Sequence, residues 1–226
     1  EAAWLSFRMG EGEPALDLAR REVERTGDSE AVLLLADLYR ALGRCEEAIP
    51  LYREGETRRA DEDLPPEWRL PFFEGVCWQI LGDWDAAEAR FLEALTIAPD
   101  EPRLLNHVGY NWLVLNKNTD RAVDMIERAV AAEPENGAIV DSYGWALFKL
   151  GRFEEAVTQL ERAVELQPYD PTLNWHLGDA YWRVGREREA RFQWRRALDL
   201  DPEPREIPLL EARLDGGLDA APADLE

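Results

Sequence analysis

Few residues in this chain have the types that do chemistry. Histidine occurs twice, at His107 and His176, and cysteine twice, at Cys45 and Cys77. Neither cysteine belongs to a CxxC pair, so no zinc site or disulfide framework is expected and both read as buried free thiols. His107 and the pair Asp141-Ser142 supply the residue types of a nucleophilic triad. By the repeat spacing set out below they fall on neighbouring helices, which pack at roughly 8–10 Å. That separation predicts no hydrogen bond of the kind that activates a nucleophile. The two histidines fall two repeats apart, on the order of 20 Å, too far to share a metal. No GxxxxGK[ST], GxGxxG or HExxH segment is present. The expectation is a non-enzyme with no catalytic residues, no metal and no cofactor. What the chain does have is aromatic surface chemistry, since it carries 9 Trp residues and such rings dominate protein-binding hot spots.

The elements that place these rings follow from an internal repeat. Gly144, Gly151, Ala156, Ala163 and Pro168 recur 34 residues later as Gly178, Gly185, Ala190, Ala197 and Pro202. A fixed period of this length marks an array of stacked units, each burying its apolar face on its neighbours. Apolar spacing within the unit is helical, as at Phe153, Ala156, Val157, Leu160, Ala163 and Val164. Proline stops one helix, Asp, Glu or Asn follows, and at Pro102 and Pro171 a second proline opens the next. Small residues sit where two helices of a unit must approach closely.

The period divides the chain into a partial repeat at 1–28, full repeats at 29–62, 68–101, 102–136, 137–170 and 171–204, and a capping helix at 205–214. Residues 215–226 read as a disordered tail. The N-terminal stretch reads as a truncated first helix, a turn at Gly10-Glu11-Gly12 and a second helix, so the chain reads as a fragment of something longer. Two departures stand out. The segment Glu62–Glu67 exceeds the period and Gly55 takes the place of a packing alanine, which predicts a loosened or kinked joint. One residue is inserted near Asn118, where LNKNTDRA replaces the usual turn.

A net charge of −21 argues against nucleic acid and anionic membranes, which reward basic patches. No apolar run approaches the ~18 residues of a membrane span. The bias toward Arg, Ala, Asp, Glu and Gly suggests a bacterial coding sequence.

Leu177-Gly178, Tyr181, Ala190, Trp194, Ala197 and Pro202 resemble the tetratricopeptide repeat (TPR) pattern. The resemblance covers roughly residues 1–214, and its order also looks like the C-terminal repeats of large proteobacterial TPR lipoproteins. It implies an all-α fold, a right-handed superhelical α-solenoid of antiparallel helix pairs, with about five full repeats, a partial N-terminal one and a C-terminal cap. The family's Trp near the fourth position is missing, with Val32, Pro71, Leu105, Val140 and Asn174 there.

The family also implies that the second, fifth, ninth and twelfth positions of each first helix line a concave groove. These map onto Phe72, Asn106, Tyr110, Asp141, Trp145, Phe148, Trp175, Asp179 and Trp182, with Arg183 one position on. Trp78 and Trp112 take the core slot usually held by Tyr. Some TPR proteins grip a partner's C-terminal carboxylate with Lys and Asn in the groove slots. Asp141 and Asp179 in those slots argue against that mode and favour a segment mixing apolar and basic residues. The arginines between Arg183 and Arg196, interleaved with Glu187 and Glu189, read as a solvated helix pair.

The function expected is a scaffold or adaptor that binds a protein or peptide in an aromatic-lined groove, with no nucleic-acid partner. The alternatives are a regulatory or targeting domain of a larger enzyme, and a module that self-associates through its array ends. The lipoprotein resemblance implies the bacterial periplasm or envelope; without it the cytoplasm is the default.

Overall fold

The computed structural model describes residues 2–218, which form thirteen α-helices and, among the described residues, no strand. The chain divides into two compact units, Glu1–Leu104 and Leu105–Glu226, with the boundary inside α7. Among the described residues no helix is long and apolar enough to cross a membrane.

The N-terminal unit contains α1 (Ala2–Arg8), α2 (Gly12–Thr26), α3 (Ser29–Ala41), α4 (Cys45–Asp61), α5 (Arg69–Ile80) and α6 (Trp84–Ile97). Each helix packs on the next in sequence, from α1 on α2 to α5 on α6. Asp28 and Asp83 cap α3 and α6 by accepting from the backbone N–H groups of Ala31 and Ala86. Cys45 and Cys77 are both buried, and burial together with the hydrogen bond that the Cys77 S–H donates to the Cys45 sulfur holds the Cys77 thiol well above its usual range.

The joint after α4 is not loosened as expected. Gly55 is the reason: a Cβ there would lie 2.8 Å from Leu33 and 3.4 Å from Leu70, so its absence draws α4 close to both α3 and α5. Helix α4 runs 17 residues to Asp61, the extra residues follow it as a turn and loop, and Arg59 donates to the Pro65 carbonyl at 3.0 Å. Space remains beside the joint, where Leu64, Pro66, Leu70 and Ile97 line a cavity of about 240 Å³ and Leu33, Tyr52, Leu70 and Phe73 line another of about 220 Å³.

The C-terminal unit contains α7 (Pro102–Val114), α8 (Thr119–Ala132), α9 (Gly137–Lys149), α10 (Phe153–Leu166), α11 (Pro171–Arg183), α12 (Glu187–Asp199) and α13 (Ile207–Gly216). It stacks three helix pairs and lays α13 against α12. The repeated alanines are the contact points: Ala122, Ala129, Ala156, Ala163, Ala190 and Ala197 have no exposed surface. Gly109, Gly144 and Gly178 face the second helix of their own pair, against Ile126, Leu160 and Trp194. The turn between α9 and α10 uses Gly151 at φ 74°, and the turn between α11 and α12 uses Gly185 at φ 78°. Between α7 and α8 the same left-handed position falls on Asn116 at φ 52°, and the inserted residue is absorbed by a second left-handed residue, Asn118 at φ 45°. Asparagine tolerates this region better than other side-chain-bearing residues because its short polar group bonds locally.

Ordered structure continues past the boundary expected for the tail. Helix α13 runs to Gly216, beyond the 214 boundary, and Leu218 is only 5% exposed. Its side chain belongs to the apolar cluster of α9 to α12, so burial orders residues that composition alone reads as disordered. Residues 219–226 of that tail lie outside the described residues.

Gly178 is the tightest of the pair contacts, since a Cβ would lie 2.5 Å from the rigid Trp194 indole. Gly178→Ala gains roughly 1 kcal/mol of helix propensity and forces an overpacked contact costing about 1–3 kcal/mol. Chemical denaturation should show net destabilisation, whereas a gain in stability would mean the pair has room to open.

Candidate functional site

The residues mapped to the groove in the C-terminal unit lie on its first helices, α7, α9 and α11. Along an open wall their side chains would be wet. Instead Asp141 is 5% exposed, Trp145 9% and Asp179 not at all. Two buried clusters account for this.

The first cluster joins α9 to α11. Both carboxylate oxygens of Asp141 lie against Nδ1 of His176, at 2.9 and 3.0 Å. The imidazole stacks on Trp145 with centroids 4.1 Å apart, and Trp145 stacks on Phe148 at 4.7 Å. Burial pulls the His176 pKa down, but the charge and hydrogen bond of Asp141, then Asp179 and Asp170, outweigh it and leave the group above its ordinary value. A protonated imidazole on an indole face adds a cation–π attraction. This pair corrects the expectation that acid and imidazole on neighbouring first helices stand too far apart to bond. An axis separation of about 8–10 Å is spanned when two side chains extend toward each other. Ser142 does not join them: its Oγ donates to the Ala138 carbonyl of its own helix at 3.0 Å. Burial alone holds His107, on α7, down to about 4.

The second cluster surrounds Asp179. Trp175 Nε1 donates to Oδ2 at 3.1 Å and Trp194 Nε1 donates to Oδ1 at 2.8 Å. The third partner comes from α13: Arg213 Nε lies 2.9 Å from Oδ1, and its guanidinium sits 5.1 Å above the Trp175 ring. Burial raises Asp179 to about 6, with Arg213, Trp194 and His176 pulling against it. Arg213 itself is 2% exposed. Other contacts seat α13 beside it. Arg191 of α12 donates to the Leu214 carbonyl, and Gly217 lies against the Trp182 ring. Leu210 is buried in the cluster that holds Leu147, Leu177 and Tyr181. At the start of α13, Glu206 lies within electrostatic reach of Tyr110 on α7, whose phenol is pushed up to about 12, first by burial and then by Asp141 and Glu206.

Family models for the tetratricopeptide repeat match residues 1–65, 33–102 and 171–204, and a TPR repeat model matches 144–185. This chain belongs to the tetratricopeptide repeat family. Its fold class is the all-α TPR solenoid. The stretch these models leave unmatched contains α8 and the asparagine turn with its inserted residue. Among solved structures, MamA (41-end) from Desulfovibrio magneticus RS-1 is 20% identical with TM-score 0.63, covering 76% of this chain and 94% of that one. The Pseudomonas aeruginosa pilF product is 18% identical with TM-score 0.68, covering 87% and 88%. Cut9, in its complex with Hcn1, is 16% identical with TM-score 0.80 over 96% of this chain, which spans 41% of that longer one. YrrB, described as a TPR protein with an unusual peptide-binding site, is 18% identical with TM-score 0.60, covering 82% and 93%. No curated protein sequence matches the chain. At these identities the likeness speaks to the repeat fold.

Within this TPR unit the mapped residues part company. Tyr110, Asp141, Trp145, Trp175 and Asp179 enter the two clusters. Trp182 is half-buried against Trp194, with ring centroids 5.4 Å apart. Phe148 closes the stack on Trp145, Asn106 is half-buried with its Oδ1 accepting no hydrogen bond, and Arg183 is exposed. Phe72 belongs to the other unit, where it packs among Trp68, just before α5, Phe73 of α5 and Phe91 of α6. Trp112 is 1% exposed, a core ring, while Trp78 donates to Glu74 at 3.1 Å.

Sequence reasoning missed His176, Trp194 and Arg213 as members of the site. A signal for the last was present. In EIPLLEARL, Leu209, Leu210 and Arg213 share one helical face. An arginine on an apolar face implies a buried acid to receive it.

The Asp141–His176 pair carries a pH signature. A histidine whose folded pKa is raised contributes stability that is complete below its ordinary 6.5 and is lost as pH rises through the folded value. The thermal midpoint should therefore fall as pH rises above about 6.5. His176→Gln should flatten that slope in scanning calorimetry, and an identical slope in the variant would exclude His176 as its source.

Proposed function

We propose that this TPR chain is a non-catalytic interaction module that binds a segment of a partner protein on the first-helix face of its C-terminal unit. The observation that carries this reading is the pairing of carboxylate and indole one helical turn apart on successive first helices, Asp141 with Trp145 and Trp175 with Asp179. Indoles bury large area at low entropic cost, and Asp179, whose ionic partner Arg213 comes from α13 rather than from the repeat, favours a segment that supplies donors or positive charge. Tyr110, Phe148 and Trp182 extend the aromatic surface, and Arg183 stands at its edge. The acids disfavour a partner's C-terminal carboxylate. The net charge of −21 also favours basic protein segments in encounter, and disfavours nucleic acid.

A library of short amphipathic helical peptides panned against the whole chain tests this. Selected peptides should shift the indole N–H resonances of Trp175 and Trp182. Trp182→Ala should weaken them by about 2 kcal/mol, roughly thirtyfold. Peptides that bind equally well to the variant, or that move only resonances of the N-terminal unit, would refute the assignment.

A further inference from the structure

The face assigned to a partner is already covered by a helix of this same chain. Helix α13 is 10 residues long, and its buried residues are Leu209, Leu210 and Arg213. A helix that only shields the end of an apolar stack needs apolar cover. Placing a guanidinium in a dry site is costly unless a matched acid and ring receive it. Here they do: Arg213 lies on the Trp175 ring and against the Asp179 carboxylate, whose other donors are two indoles. The contact has the composition of a recognition site, with a charged anchor between two leucines and an aromatic wall.

The tether is equally informative. Between α12 and α13 the chain turns through Asp201 at φ 58°, and Glu203, Pro204 and Arg205 are exposed. Arg205 pairs with its neighbour Glu203 and is 80% exposed. Apart from the buried Pro202 and the hydrogen bonds between Glu203 and Glu206, residues 203–205 of the segment that delivers α13 face solvent, and the helix itself rests on a few anchoring side chains.

We propose that α13 is a built-in occupant of the partner site, and that the partner is an amphipathic helix carrying an arginine that replaces Arg213 on Trp175 and Asp179. This rests on the reading of the first-helix face as the binding surface. A tethered helix acts at an effective concentration in the millimolar range. An outside segment must therefore bind better than α13 does, or arrive when α13 is held elsewhere. The device gives the module a closed resting state and restricts it to partners that meet the arginine requirement.

The test uses the full chain and a labelled synthetic peptide of residues 203–218, followed by fluorescence anisotropy. The unmodified protein should bind the peptide weakly. Arg213→Ala should bind it at least about tenfold more tightly, because its own helix no longer competes well. A peptide with alanine in place of its inner arginine should lose that gain, as should Asp179→Asn added to the Arg213→Ala protein. Should Arg213→Ala fail to fold, Arg213→Lys keeps the charge without the planar fork, and should show a smaller gain. On the unmodified protein, a panned peptide should speed amide exchange across 207–216. Equal peptide binding to the parent and variant proteins, or unchanged exchange in 207–216, would overturn the proposal while leaving the face intact as a binding surface. Failure of every panned peptide at Trp175 and Trp182 would instead remove the binding surface itself.

Discussion

The missing side chain of Gly178 sets the geometry of the C-terminal unit. With no Cβ in the way, the Trp194 ring presses directly onto α11, where a Cβ would stand 2.5 Å from it. That approach is what lets Trp194 Nε1 reach the Asp179 carboxylate one residue further along the helix, at 2.8 Å. A fully buried acid must be matched by donors or it neutralises. Trp194 and Trp175 together satisfy both oxygens from within the repeat, and Arg213 completes the set from outside it. A packing rule shared by the repeats thus becomes a chemical site in one of them, because only this repeat puts an indole opposite the glycine and an acid beside it.

The same glycine explains why the repeats differ in what they can hold. Gly144 meets Leu160 and Gly109 meets Ile126, both apolar partners with no donor to offer. The acid of the α9 repeat accordingly sits elsewhere, at Asp141, and finds its partner on the next first helix in His176. The two sites are electrostatically linked, since Asp179 raises the His176 pKa and His176 lowers that of Asp179. With His176 protonated, Asp141 and Asp179 are matched by His176 and Arg213, with Asp170 acting on His176 from the start of α11. Removing any one leaves an uncompensated charge in a dry environment, the situation in which buried ion pairs become costly to break, at about 3–5 kcal/mol.

The period of 34 residues made the helix pairs legible, because Gly, Ala and Pro carry packing and termination constraints that do not depend on distant parts of the chain. It also located the two departures. What those departures do was less legible. Gly55 read as a lost contact and proved to be a closer one, since the gain depends on Leu33 and Leu70 arriving from other helices. The site was legible as a set of positions and not as a set of partners. Asp141, Trp145, Trp175 and Asp179 were singled out by their slots. That His176 and Arg213 neutralise the acids depends on how far side chains lean across neighbouring helices and on where α13 comes to rest. Neither is a property of the repeat period.

Helix α13 is where these two kinds of information meet. Its sequence, with Leu209, Leu210 and Arg213 on one face, has the pattern of a segment made to lie against an acidic aromatic wall. The repeats supply such a wall one helix away. A longer array would cover that wall with its next repeat, through alanine and glycine contacts. Here the cover is a short helix held by a salt bridge and a ring, on an exposed tether. Contacts of that kind are directional and specific, yet few. Such a combination favours a segment that can be recognised by its arginine and still exchanged for another that carries one.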